Sequence, residues 1–277
     1  MHRTLGICLG IGLATLLVLT ACEPNVLQVD TEAEIARNLE EGDSHLRSGK
    51  VDEAAVSYEN VLKLDANNAG ALTGIGRVAL ERQDPKAAIE PLIKAVAADA
   101  KNALAQASLG RAYAQTKDWA KAAEHLGQAW SLAQDTEQYG LEYGIALRET
   151  KQFEQAIEVL GEVAEMNPRI KFVYRELAKV HQDAGDLDKA LRTFMKAQSQ
   201  WAGDQDAFAG AALVYEAQGD ISKSIDQWSQ YIQQDCCSSY SKEVAQTKLA
   251  ALKAAENATP NADGSAPAEP AAPADAG

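Results

Sequence analysis

The chain has 277 residues, 46% of them hydrophobic, and carries 26 basic against 40 acidic side chains, for a net charge of −14. The hydrophobic content can bury a core, which excludes a chain that is disordered throughout. The acidic balance excludes general binding to nucleic acid, which needs a basic surface, and it opposes attachment to an anionic membrane by charge. Four cysteines in a chain of this length exclude a small disulfide-stapled fold.

Residues 1–21 have the pattern of a signal peptide. A short basic start, residues 1–3, is followed by an uncharged run rich in Leu, Ile and Val over residues 5–20. That run is shorter than the ~20 residues of a membrane-spanning helix, and it ends in small residues, as at a cleavage site. Residues 19–22, Leu-Thr-Ala-Cys, resemble a bacterial lipobox. The resemblance implies cleavage before Cys22 and a membrane anchor through lipid on that cysteine; the alternative is an uncleaved N-terminal anchor.

The residues after Cys22 indicate a membrane and a short tether. In lipoprotein sorting, Asp after the lipidated cysteine is the usual signal for retention in the inner membrane. Glu23 occupies this place, so we expect an outer-membrane anchor that faces the periplasm. Residues 22–34 are predicted as the lipidated cysteine and its tether. The capping-box pattern of residues 31–34 predicts a first helix from about Glu32.

A period of 34 residues runs from residue 35 to residue 238. One column of the repeat is small: Gly42, Gly76, Gly110, Gly144, Ala178 and Ala212. A later column is large: Tyr58, Leu92, Leu126, Leu160, Phe194 and Trp228. Each copy has two apolar stretches at helical spacing with turn residues between them, such as Asp84-Pro85, an N-cap followed by proline. Each copy is therefore predicted to be a helix pair that must stack on its neighbours to bury its apolar face.

This pattern resembles the tetratricopeptide repeat (TPR). The fourth copy matches best, at Tyr143-Gly144, Leu147, Phe153, Ala156, Leu160 and Pro168. The resemblance implies an all-α fold, a right-handed α–α superhelix of six TPR helix pairs. The pairs are residues 35–68, 69–102, 103–136, 137–170, 171–204 and 205–238. A capping helix is predicted at residues 239–256, and an Ala/Pro-rich acidic tail, residues 257–277, is predicted to be disordered.

The sequence offers little for chemistry. It has no His-x-x-x-His, Cys-x-x-Cys, calcium loop or phosphate loop, so we predict no metal, no cofactor and no enzymatic activity. An enzyme or metal-binding protein is the least favoured alternative. Cys236 and Cys237 are either small apolar residues, a disulfide between neighbours, or a cross-link to another chain.

The first helices of TPR pairs line a concave groove that binds peptides. When the inward-facing positions of TPR repeats are projected onto this chain, they predict a basic strip with apolar neighbours in this groove. The strip consists of Arg77, Arg111, Arg148, Arg175 and Lys179, with Leu104, Leu141 and Phe172. Such a strip suits a protein or peptide ligand with acidic side chains or a free carboxylate. The alternative is a neutralised wall, in which the cations pair with acidic neighbours of the same copies: Glu81, Glu142, Glu149 and Glu176.

The layout of a lipobox followed by TPR repeats is similar to that of pilus and secretion assembly lipoproteins, of the type IV pilotin or tight-adherence (Flp) pilus type. It implies a periplasmic scaffold for protein–protein interaction in assembly of a pilus or secretion complex. The alternative is an adaptor for envelope proteases or peptidoglycan-synthesis enzymes. The partner and the oligomeric state are left open by the sequence.

Overall fold

The computed structural model describes residues 12–170, 172–235 and 237–258, with side chains from residue 30 onward. Within these ranges every regular element is a helix, which confirms the all-α prediction. The helices are α1 Gly12–Arg47, α2 Val51–Leu64, α3 Ala69–Glu81, α4 Pro85–Ala98, α5 Ala103–Gln115, α6 Trp119–Leu132, α7 Glu137–Glu149, α8 Phe153–Met166, α9 Val173–Asp183, α10 Leu187–Gln200, α11 Gln205–Gln218, α12 Ile221–Gln234 and, after a π-helical turn at Ser241–Ala245, α13 Gln246–Ala258. The second helix of each pair begins 34 residues after the previous one.

The helices form two compact units, residues 1–133 and 134–277. In the N-terminal unit α1 packs on α2, α3 on α4 and α5 on α6, and the first helices α1, α3 and α5 contact one another in series. In the C-terminal unit α7, α9 and α11 are related in the same way and pair with α8, α10 and α12. We call the surface formed by the first helices of a unit its first-helix face.

The small and large columns explain how closely the helices of a pair approach. A Cβ atom placed on Gly76 would lie 2.3 Å from Cγ of Leu92, and one on Gly144 would lie 2.5 Å from Cγ of Leu160. Both distances are shorter than carbon atoms tolerate, so only glycine fits there. All members of the large column are buried: Tyr58, Leu92, Leu126, Leu160, Phe194 and Trp228. The predicted helix pairing is thus confirmed in both units.

One type of turn joins the helices of every pair. After α3, the N–H of Gln83 donates to the carbonyl of Leu80 and the N–H of Asp84 to that of Ala79, both over 2.9 Å. These are the two bonds of a Schellman motif, which needs a residue in the left-handed region. Residues with positive φ recur at this position in each copy: Gly49, Gln83, Lys117, Lys151, Gly185 and Gly219. Asp84 then caps α4, with Pro85 in its first turn, as the sequence predicted.

The N-terminal helix differs from the prediction. A tether over residues 22–34 and a helix start near Glu32 were expected, but α1 begins at Gly12 and runs without a break to Arg47. The physical reason is helix cooperativity, since a helix that has formed adds residues at little cost, and neither Pro24 nor the capping-box pattern stops it. Residues 1–11 lie outside the described residues. Among the described residues, no helix has both the length and the hydropathy of a membrane span.

Helix α13 covers the last helix pair. Leu249 and Leu252 pack against a core cluster that includes Trp228. Lys248 places its Nζ 3.0 Å from Oε2 of Glu216. The helix extends to Ala258, slightly past the predicted end. The rest of the predicted tail, residues 259–277, lies outside the described residues.

Candidate functional site

The first-helix face of the N-terminal unit carries a simple ion pair. Nη1 of Arg77 donates to Oδ1 of Asp43 over 2.9 Å, and the hydroxyl of Tyr58 donates to the same oxygen over 2.7 Å. The side chains of Arg77 and Asp43 are 28% and 46% exposed. Burial, helped by Asp43, raises the pKa of Tyr58, so its hydroxyl stays protonated and keeps donating. The pair is therefore a partly hydrated contact between α1 and α3.

Helix α5 places two more of the predicted groove residues on one face. Leu104 is 36% exposed, and the half-buried Arg111 follows it two turns later. Arg111 also has an interaction with its surroundings. The two side chains lie on one side of α5, two turns apart. That they line a peptide groove stays a prediction.

In the C-terminal unit the predicted cations converge on one carboxylate. Oε1 of Glu176 accepts from Nε of Arg175 over 3.2 Å and from Nζ of Lys179 over 3.0 Å. Oε2 accepts from Nη1 of Arg148 over 3.2 Å. The side chain of Glu176 is only 8% exposed. A buried carboxylate is tolerated only when it is paired. The pair with Arg148 joins α7 to α9, whereas the pairs with Arg175 and Lys179 lie within α9.

Arg175 and Arg148 each reach further acids. Nη1 of Arg175 lies 3.0 Å from Oδ1 of Asp204 and 3.1 Å from Oδ2 of Asp206, at the start of α11. Arg148 is paired with its neighbour Glu149, and its Nε lies 3.6 Å from Oδ2 of Asp183. The basic strip of this unit is accordingly compensated by acids. This arrangement corresponds to the neutralised wall that the sequence left as the alternative.

The two predicted apolar groove residues of the C-terminal unit, Leu141 and Phe172, lie in different surroundings. Leu141 is only 6% exposed and belongs to the core rather than to the surface. Phe172 precedes α9 with φ of 74°, in the left-handed region that a bulky residue rarely occupies. The guanidinium of Arg175 stacks 3.9 Å from the centre of its ring. Lys171 lies outside the described residues.

Sequence reasoning missed Asp204 and Asp206 as members of this cluster. Both residues precede or begin a helix, where an acidic residue is expected as a cap or near the positive end of the helix dipole. The available signal was Asp204, which stands in the column where Asn68 and Asn102 occur in other copies. Asparagine and aspartate can both cap a helix, but only aspartate is charged. The change from asparagine to aspartate in this column was therefore the signal for an additional acid in the fifth and sixth copies.

The histidines serve packing. Nδ1 of His125 lies 2.9 Å from Oε1 of the buried Gln106, and its ring stacks on that of Tyr113. Burial lowers the pKa of both His125 and His181, the second against an opposing contribution from Asp186. Among the described side chains, no group of His, Cys, Asp and Glu is placed to hold a metal ion.

Of the two neighbouring cysteines, Cys237 is disulfide-bonded. This contradicts the alternative of small apolar residues. Cys236 lies outside the described residues, so the choice between a disulfide of neighbours and a cross-link to another chain stays a prediction.

A family model described as tetratricopeptide repeat matches the chain at residues 39–103, 76–133 and 175–236. The matched segments cover more than half of the chain and reach into both units. Among curated proteins, no sequence matches significantly.

Solved structures resemble the chain over most of its length. PilF of Pseudomonas aeruginosa is 18% identical, with a TM-score of 0.64 over 79% of this chain and 99% of that one. PilW, a widely conserved type IV pilus biogenesis factor, is 20% identical, with a TM-score of 0.65 over 76% of this chain and 97% of its own. YrrB, a TPR protein with an unusual peptide-binding site, is 18% identical, with a TM-score of 0.58 over 69% and 99%. At these identities the likeness concerns the fold.

Proposed function

The chain belongs to the tetratricopeptide repeat family, whose members are scaffolds for protein–protein interaction. From this premise we propose that it is a lipid-anchored periplasmic scaffold, which holds components of a pilus or secretion complex at the outer membrane. One observation carries the proposal. Residues 19–22, which resemble a lipobox, precede a repeat array that is similar in fold to PilW, a type IV pilus biogenesis factor, along 97% of the solved PilW chain.

The proposed anchor would lie close to the repeats. Cleavage before Cys22 would leave residues 23–34 between the lipid and the first repeat, and their backbone is helical in α1. Twelve residues of helix span about 18 Å, at ~1.5 Å per residue. An extended tether of the same length would reach about 42 Å, at ~3.5 Å per residue. The helical form thus favours a scaffold that is held against the membrane.

Lipidation is tested by Cys22→Ala. We expect the variant to appear in the soluble fraction or as an uncleaved precursor, and to incorporate no labelled palmitate. Cys8→Ala, within the signal peptide, is the matched control and should leave labelling and membrane attachment unchanged. A mature, membrane-bound and labelled product from Cys22→Ala would refute the anchor.

The partner surface is proposed on the first-helix face of the N-terminal unit, where Leu104 and Arg111 lie on one side of α5, two turns apart. Crosslinking in native envelopes, followed by mass spectrometry, should identify secretin or pilus components bound to the unmodified chain. Arg111→Glu should remove these crosslinks, with the helical circular dichroism unchanged. Lys86→Glu, a charge reversal at an exposed position on α4, is the control.

The identity of the crosslinked proteins decides between two classes of partner. Cell-wall enzymes or proteases in place of pilus components would contradict the assembly role and favour the adaptor role. Crosslinks that survive Arg111→Glu would exclude this face as the binding surface.

A further inference from the structure

Asp204 lacks the role that its position gives to other copies. It directly precedes α11, at the same repeat position as Asn68 before α3 and Asn102 before α5. The amide oxygens of these two asparagines cap their helices, by accepting from the N–H groups of Ala71 and Ala105 over 3.1 and 3.0 Å. Aspartate caps helices as well as asparagine does. Nevertheless, the carboxylate of Asp204 caps nothing in α11 and turns instead toward Arg175.

In this arrangement Asp204 is one hydrogen bond short. Its side chain is only 2% exposed. Oδ1 accepts from Nη1 of Arg175 over 3.0 Å, while Oδ2, also buried, accepts no hydrogen bond from any described residue. The same Nη1 is shared with Asp206, at 3.1 Å. A buried carboxylate oxygen without a hydrogen bond is unfavourable, so a donor placed beside Oδ2 of Asp204 would stabilise it.

The charge around Asp204 also favours an additional cation. Three cations, Arg148, Arg175 and Lys179, lie within ion-pair distance of five acids: Glu149, Glu176, Asp183, Asp204 and Asp206. The side chain of Asp206 is 62% exposed and can be reached from solvent.

We infer that the edge between α9 and α11 is a binding site for a basic side chain, lysine or arginine, of a partner polypeptide. The incoming cation donates to Asp206 in place of the shared Nη1 of Arg175, which keeps its bond to Oδ1 of Asp204, and it supplies the donor that Oδ2 of Asp204 lacks. Arg175 retains its Nε bond to Glu176 and its contact with Phe172, a ring that favours cations at its face. The inference rests on the proposed scaffold function and reverses the ligand charge expected from the sequence.

The test measures peptide binding to the complete lipoprotein in detergent by fluorescence anisotropy. The probes are the labelled peptide Gly-Ala-Leu-Arg-Leu-Ala-Gly amide and a twin with Glu in place of Arg. We expect the Arg peptide to bind and the Glu peptide not to bind. Asp206→Asn should weaken the Arg peptide about fivefold, as for a partly exposed ion pair. The matched control Glu158→Gln removes the same charge from an exposed position on α8 and should have no effect.

Several results would overturn the inference. They are a Glu peptide that binds as tightly as the Arg peptide, no binding of either peptide, and an Asp206→Asn variant that binds like the unmodified chain. Equal losses in Asp206→Asn and Glu158→Gln would show attraction by net charge without a site, which also overturns it. None of these results affects crosslinking in the envelope. The scaffold proposal fails separately, when no pilus or secretion component is crosslinked.

Discussion

On the N-terminal unit, Arg77 meets a single, half-exposed partner, Asp43. On the C-terminal unit, Arg148, Arg175 and Lys179 converge on Glu176, whose side chain is almost fully buried. Both units have the same helix pairs, glycine contacts and turns. The comparison shows that one backbone repeat supports two kinds of polar face. The depth of the partner carboxylate and the number of cations around it both separate them.

The sharpest test of this difference removes one arginine from each unit. Arg175→Ala leaves Asp204 buried without its hydrogen-bond donor and removes one of the three cations paired with Glu176, so we expect a loss of about 3–5 kcal/mol in the free energy of unfolding. Arg77→Ala removes a partly exposed pair and should cost about 1 kcal/mol or less. Urea unfolding followed by circular dichroism measures both. Equal losses would remove the distinction between the two faces.

The helix contacts should respond alike in the two units. Gly76→Ala and Gly144→Ala each force a methyl group against a buried leucine, and each should cost about 1–3 kcal/mol by overpacking. The control is Gly161→Ala on α8, where an added Cβ meets no atom within 4 Å. It should stabilise the chain by about 0.5–1 kcal/mol, since alanine favours the helix. A neutral Gly144→Ala would show that the second unit is less tightly packed.

A smaller effect is expected at the turns. Lys117 and Lys151 have φ of 63° and 61°, a conformation that costs a side-chain-bearing residue ~1–2 kcal/mol relative to glycine. Glycine also loses ~0.4–1 kcal/mol through the entropy of the unfolded chain. Lys117→Gly and Lys151→Gly should therefore each raise stability by about 0.5–1 kcal/mol in thermal or urea unfolding.

Gly185→Lys, at the equivalent position of a later copy, should lower stability by a similar amount. If Lys117→Gly and Lys151→Gly change the free energy of unfolding in opposite directions, the turns of the two units are not equivalent.

The smallest effect concerns pH and involves two histidines, the half-buried His125 in the N-terminal unit and the buried His181 in the C-terminal unit. Burial lowers the pKa of His125 and His181 in the folded chain, while the unfolded histidines keep a pKa near 6.5. As the pH falls below that value, the unfolded state binds more protons, so the free energy of unfolding decreases. The carboxylates with lowered pKa, such as Asp186, act at lower pH, below their usual value of 3.8.

The histidine contribution is measured from urea unfolding at pH 7.5 and pH 5.5. His181→Leu should flatten the decrease in stability between these pH values, and the remaining decrease should be removed by His125→Leu. A decrease that is unchanged in both variants would assign the pH dependence to other groups.

Part of the candidate site followed from sequence periodicity. The repeat placed Arg77, Arg111, Arg148, Arg175 and Lys179 on the first helices, where the structure has them. The sequence does not show which acid pairs with each of these cations, because the pairs are distant along the chain. Arg148 and Glu176 are 28 residues apart, and Arg175 and Asp204 are 29 apart. Such pairs depend on side-chain geometry across two helices. The burial of Leu141 also depended on packing that periodicity does not resolve.

The sequence by itself determined the helix pairs, their 34-residue spacing and the caps such as Asp84-Pro85, because these depend on local propensity and on a repeated pattern of small and large residues. Only the tertiary structure decided which acids compensate the cations, and that Asp204 faces Arg175 instead of capping α11. The physical reason is that hydrophobic periodicity acts at every copy in the same way. Each ion pair, in contrast, depends on the distance between its own two side chains and on their burial, which are set only when the helices are in contact.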